Sequence, residues 1–208
     1  RSVHLLVGGS RVTSQILVST AIHSQLALEE GDRIVFVDAN NRFNPYEISK
    51  MAVRIGLNPQ QALERILISR AFTWEQMVEL LEHELGKLKQ IPMILVSGLT
   101  RLLPDHEVRS LEGVKRSIAG LKRAMHASDA TVVLSAPRHV HSLYKPEGGT
   151  VLTHFAHVIV LIDEDERKFT FQLMEHPSLG QKTVIKRKPP KVKRSMRPSP
   201  KNRRIDDW

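Results

Sequence analysis

The chain contains no cysteine, which excludes a disulfide framework and any thiolate metal site and is compatible with a reducing compartment. It has no apolar run near the roughly 18 residues that a helix needs to span a bilayer, so no membrane segment is expected. Arg1 does not open a signal-peptide layout, and the missing initiator Met implies that upstream residues were removed. An intracellular protein follows, in the cytoplasm or with the nucleoid or nucleus. What remains is ordinary for a soluble domain: 208 residues, 41% hydrophobic and 25% charged, enough for one well-cored α/β unit. The net charge of +9 is unevenly placed. Ten of the 31 Lys/Arg and two of the 22 Asp/Glu follow Ile185, so the tail carries +8 and the rest of the chain +1. A core over residues 1–187 and a basic, proline-rich tail over 188–208 are the expected divisions.

The most regular pattern runs from Arg33 to Leu81. β-branched apolar runs alternate there with 3.6-periodic ones. The reading is a strand Ile34 to Asp38, a helix Pro45 to Ile55, a strand Arg65 to Ser69 and a helix from Thr73. Pro45 suits a first helical turn, where its missing N–H would have had no partner, and Asn58-Pro59 reads as an exit. Elsewhere, Ser2 to Val7 is a short strand flowing into Gly8-Gly9 and a helix from about Thr13 to Leu28. Ile91 to Ser97 and Thr131 to Ser135 are buried strands. A helix spans about Val108 to Ala127, its core stripe being Val114, Ile118, Leu121 and Met125. Val158 to Asp163, Lys168 to Met174 and Lys182 to Ile185 close the core as strands.

The residues Asp38, Phe43, Pro45, Gly56-Leu57-Asn58-Pro59, Ile68 and Arg70-Ala71 match, in type and spacing, a segment of the RecA-like strand-exchange recombinases. Over about residues 3 to 187 the chain resembles their archaeal RadA and eukaryotic branch. The resemblance implies a RecA-like P-loop NTPase fold, with a mostly parallel sheet flanked by helices. It also implies four positions where ATP chemistry is expected, and each is altered here. In register with GxxxxGK[ST], the chain has Val7-Gly8-Gly9-Ser10-Arg11-Val12-Thr13-Ser14. Val12 replaces a glycine and Thr13 the lysine, and only Ser14 keeps a hydroxyl for magnesium. No lysine precedes Lys50. Gly8, Gly9, Arg11 and Ser14 are the residues left for a phosphate, Arg11 being long enough to pair with one.

The family's water-activating glutamate falls on Asn40, whose amide cannot take a proton. Its magnesium-holding aspartate falls on Ser97, a poorer partner for a hard divalent cation. Its phosphate-sensing Asn-Gln pair falls on Ala136-Pro137. Taken together, Val12, Thr13, Ser14, Asn40, Ser97 and Pro137 lead us to expect a pseudo-ATPase that uses neither ATP nor magnesium.

Residues Arg138 to His157 are similar to the family's second DNA-facing loop, including Lys145-Pro146-Glu147-Gly148-Gly149 and His154. Arg138 and Lys145 suit phosphates and Tyr144 suits a base. The histidines His139, His141, His154 and His157 lack the carboxylate spacing of a metal site and read as loop residues. The tail cations Lys186, Arg187, Lys188, Lys191, Lys193, Arg194, Arg197, Lys201, Arg203 and Arg204 stand among prolines with few apolar residues. Such a segment is expected to be disordered and to bind DNA through counterion release. Together these imply a non-catalytic recombinase paralogue in DNA recombination or repair. Its expected partners are DNA, bound without sequence preference, and a catalytic recombinase or a second copy of itself. Two other readings stay open: a DNA-stimulated ATPase with an unusual phosphate loop, and a protein scaffold with a solubilising tail.

Overall fold

The alternation of side chains along a strand sorts the apolar residues onto two faces of one sheet. Val3, Leu5 and Val7 enter one core cluster with Val35, Val37, Ile94, Val96, Val132 and Leu134. Leu6, Ile34, Phe36, Leu95 and Val133 enter the other. A sheet buried on both sides is what runs such as Ile34–Asp38 demand, because every position of that strand is apolar or hydrogen-bonded. The computed structural model describes residues 1–104, 107–142 and 144–188, residues 107–109 by their backbone alone.

The sheet has eight strands: β1 Val3–Gly8, β2 Ile34–Asp38, β3 Ile66–Arg70, β4 Met93–Ser97, β5 Thr131–Ala136, β6 Val158–Glu164, β7 Lys168–Glu175 and β8 Lys182–Arg187. Their order is β3-β2-β4-β5-β1-β6-β7-β8. The first six run parallel and β7 and β8 are antiparallel. Among the described residues, six α-helices connect them: α1 Ser10–His23, α2 Pro45–Arg54, α3 Pro59–Glu64, α4 Trp74–Glu79, α5 Glu107–Ser128 and α6 Gly149–Phe155. Residues of α1, α2 and α3 fill the second cluster, and residues of α4, α5 and α6 the first. Among the described residues, no helix is long and apolar enough to cross a membrane.

Local chemistry accounts for the helix starts. Asn44 caps α2 by accepting from the Tyr46 N–H, ahead of Pro45. Thr73 and Gln76 form a reciprocal capping box on α4. Most boundaries differ from the sequence reading by a residue or two, and four of the differences bear on local chemistry. The strand expected from Arg65 begins at Ile66 and includes Arg70. Asn58-Pro59 opens α3 instead of only ending α2, because the Asn58 side chain accepts from the N–H groups of Gln60 and Gln61. The helix after Thr73 continues from α4 as a π-helical turn, Leu80–Glu84, that lies against α5. Contact there is so close that a Cβ on Gly120 would stand 2.0 Å from the Leu81 carbonyl oxygen. The fourth difference is the start of α1 at Ser10, three residues ahead of Thr13.

Candidate functional site

Strands β1, β2, β4 and β5 end on the same edge of the sheet, because they are parallel. Asp38 closes β2. Its buried carboxylate accepts N–H groups from Asn40 (3.1 Å), Arg42 (2.8 Å) and Phe43 (2.8 Å), fixing the turn that follows. Asn41 takes the left-handed backbone of that turn, with φ 51°, as an Asn readily does. The turn lays the Asn40 side chain across the end of β4. There Asn40 Nδ2 donates to Ser97 Oγ at 3.0 Å and to Ser14 Oγ at 3.2 Å. The two hydroxyls are themselves 2.9 Å apart. Gly98 makes this possible, since a Cβ there would lie 2.6 Å from Asn40 Oδ1.

Three side chains distant in sequence thus form one buried cluster, with Ser14 3% and Ser97 0% exposed. All three are neutral. A divalent cation of the magnesium type is bound through carboxylates and water in octahedral array, and this cluster offers hydroxyls already engaged with an amide. Among the described residues, no group of three or more His, Cys, Asp or Glu is placed to hold a metal.

The glycine turn is equally altered in shape. Gly9 is extended (φ −61°, ψ 138°) and caps α1 directly, and the Thr13 N–H already bonds the Gly9 carbonyl at 3.1 Å. Residues Ser10, Arg11 and Val12, which a phosphate loop would keep outside the helix, form its first turn. Val12 is 4% exposed and packs in the second core cluster. The Thr13 hydroxyl bonds back to Gly9 O at 3.1 Å. Gly8 lies against β6, where a Cβ would stand 2.7 Å from the Ile162 carbonyl oxygen.

The four residues left for a phosphate divide between two clefts. Gly8 and Gly9 line one of about 470 Å³ with Arg101, Pro137 and Arg138. Arg11 and Ser14 line another of about 400 Å³ with Arg42 and Glu47. Pro137 lines the first of these clefts and takes no part in the bonds of the Ser14–Asn40–Ser97 cluster.

The loop after β5 is a narrow ribbon. Arg138 bridges to Pro146, the His139 N–H bonds the Lys145 carbonyl at 2.9 Å, and the Glu147 N–H bonds the Pro137 carbonyl at 2.9 Å. Its outer end exposes Val140 (91%) and Tyr144 (61%), with Lys145 beside them. Gly148 and Gly149 have φ 93° and 64° and turn the chain into α6. Arg138, expected to be free for a phosphate, instead pairs with Asp163 at 2.6 Å. His154 lies on α6, where it lines a groove with Lys115 and Lys122 of α5.

Of the tail cations, Lys186 and Arg187 belong to β8 and are exposed. Lys188 folds back on the β6–β7 turn, with Nζ 2.7 Å from Glu164 and 4.7 Å from the Phe169 ring centroid. Lys191, Lys193, Arg194, Arg197, Lys201, Arg203 and Arg204 lie outside the described residues, as does the expectation of disorder for the tail. The Asp38 clamp is local to residues 38–43, whereas nothing in the sequence marks Asp163 as a partner for Arg138, because that pairing depends on the order of the strands in the sheet.

At the opposite edge of the sheet, burial lowers the His4 pKa, and His157 and His176 lower it further. His157 Nδ1 accepts the Val3 N–H at 3.0 Å, tying the start of β6 to β1.

An open, mostly parallel sheet with this order, and a strand–glycine–helix start on a central strand, defines a RecA-like α/β protein. Residues 2–102 match the Rad51 family model. Over 167 residues, 73% of this chain and 48% of the relative, it is 26% identical to a meiotic recombination protein DMC1 homolog of Glycine max. The Arabidopsis thaliana DMC1 homolog is 24% identical over 170 residues, covering 74% of this chain and 49% of the relative. The DMC1/LIM15 homolog of Mus musculus is 32% identical over 81 residues, 39% of this chain and 22% of the relative. These matches support a place in the RecA-like recombinase family. It spans about half the length, or less, of these curated relatives.

Proposed function

We propose that this chain serves DNA recombination or repair as a non-catalytic RecA-like unit that binds DNA and a recombinase partner and does not hydrolyse ATP. The match to the Rad51 family model and relatives named as meiotic recombination proteins support the process. The neutral Ser14–Asn40–Ser97 cluster carries the non-catalytic part. Hydrolysis of a nucleoside triphosphate needs charge to offset the phosphates and a group to orient water. The three positions that the family resemblance assigns to magnesium and water activation hold hydroxyls and an amide bonded to one another. The helical first turn of α1 supports the same reading, because Ser10, Arg11 and Val12 then form no loop of N–H groups around a phosphate chain and leave only those at the helix end.

For DNA, the reading rests on Tyr144 and Lys145 at the exposed end of the loop after β5 and on the density of cations in the tail. Calorimetric titration with Mg-ATP tests the first half: no heat of binding at millimolar nucleotide is expected, and micromolar binding overturns it. A second reading, a nucleotide-binding enzyme, is favoured by Arg11 and Arg42 lining one cleft. It requires that Arg11→Ala abolish any binding seen in that titration. If deleting residues 189–208 and substituting Lys145 leave DNA affinity at zero throughout, the scaffold reading stands instead.

A further inference from the structure

We propose that the groove between α5 and α6 is a docking site for an acidic amphipathic helix of a protein partner. The two helices run in the same direction on one face of the sheet, each leading from the edge where β4 and β5 end to the edge where β5 and β6 begin. Between them is a groove of about 350 Å³. Its floor is aliphatic and aromatic: Ile118 and Ala119 from α5, Val151 and Phe155 from α6. Its rim is cationic, formed by Lys115 and Lys122, with His154 opposite, and no lining residue carries a carboxylate.

Charge and spacing select the occupant. The other cations of this part of α5 are engaged, Arg116 with the Glu82 carboxylate and Arg123 with the Glu82 carbonyl. Among the described residues, Lys115 and Lys122 have no ion-pair partner, and Lys122 only overhangs the Phe155 ring at 5.7 Å. Two lysines seven positions apart on a helix are separated by about 10.5 Å along its axis. A partner helix meets that spacing with two acidic residues likewise seven apart, and its apolar residues at the intervening third and fourth positions then fall on the floor. Leu111, 44% exposed one turn before Lys115, lengthens the apolar stripe. A nucleic acid fits less well, because the floor is mainly aliphatic and Lys122 already covers its one aromatic ring. The proposal is independent of the nucleotide and DNA readings above.

The test is selection of a displayed library of helical peptides, about four turns or 16 residues long, on the whole chain. Counter-selection uses Ala119→Trp, a change at an exposed groove position that fills the floor without entering the core. Enriched peptides are expected to carry Asp or Glu seven apart around apolar residues. Fluorescence polarisation should show their affinity falling at least tenfold on Lys115→Glu/Lys122→Glu and not on Lys89→Glu, with unchanged melting of all variants by circular dichroism. Peptides without that spacing, or equal binding to Ala119→Trp, overturn the proposal. So does a result in which no peptide binds while the double substitution weakens single-stranded DNA binding.

Discussion

Replacing Ser97 by Ala tests whether the cluster at the end of β4 is a self-contained structural unit. The Ser97 hydroxyl touches two groups, Ser14 Oγ at 2.9 Å and Asn40 Nδ2 at 3.0 Å, at a position with no solvent exposure. Each such bond contributes about 1 kcal/mol net, and a buried group left short of a partner costs about 1–3 kcal/mol. The substitution should therefore cost about 2–3 kcal/mol. For a domain of this size each kcal/mol corresponds to about 2–4 °C, so the melting temperature should fall by about 5–10 °C.

Ser14→Ala removes the same Ser14–Ser97 bond from its other end, so the double variant should cost about 1 kcal/mol less than the sum of the singles. Urea denaturation followed by far-UV circular dichroism measures all three. A cost for Ser97→Ala below about 0.3 kcal/mol, or strict additivity of the pair, would refute the coupled cluster.

The other predictions concern different parts of the fold. Because the His4 pKa is depressed below its ordinary 6.5, the unfolded chain binds more protons as pH falls, so stability is complete above about pH 6.5 and is lost towards the native pKa. His4→Gln should flatten the stability profile in that window. The depressed carboxyls of Glu82, Asp129 and Asp165 act only at lower pH, below their ordinary 4.5 and 3.8. In DNA binding, Lys145→Ala should reduce the slope of log affinity against log salt by about 0.7–0.9. Arg138→Ala should reduce it less, since Asp163 already neutralises that guanidinium. Deleting residues 189–208 should reduce it most of all. Gly120→Ala should cost more than about 3 kcal/mol, or abolish soluble expression, because the added methyl enters the Leu81 backbone.

Much of the fold was legible because its signals are local. Period-2 and period-3.6 patterns, Pro45 and the Thr73 cap placed the strands and most helices within a few residues. Asn58-Pro59 is ambiguous in sequence because the same dipeptide ends one helix and starts the next. The start of α1 is hidden in sequence because a glycine pair suggests a loop, whereas burying Val12 favours helix from Ser10 onward. At the site, Ser14, Asn40 and Ser97 could each be named from register alone. Their mutual bonding could not, since it depends on α1, β2 and β4 being brought together, after which the local Asp38 clamp and the left-handed Gly98 let the side chains meet. Arg138 shows the reverse error: a cation in a loop reads as free until β6, on the far side of β1 in the sheet, supplies its carboxylate.

The proximity of these three side chains also bears on why several positions differ from the family pattern together. A carboxylate at position 97 would be wholly buried, and without a cation or lysine beside it the charge would cost several kcal/mol. A glutamate at position 40 would face it at hydrogen-bond distance and add like-charge repulsion. In the proposed non-catalytic state, with no lysine at position 13 and no metal, neutral side chains at all three positions are the arrangement of lowest energy. Ser97→Asp should therefore destabilise the domain by more than the roughly 2–3 kcal/mol of Ser97→Ala, and Mn²⁺ should restore part of the loss if the three oxygens still converge closely enough to share a cation. Equal stability of Ser97→Asp and the unaltered protein at neutral pH, by urea denaturation without metal, would show that the pocket tolerates charge and would remove this explanation for the linked substitutions.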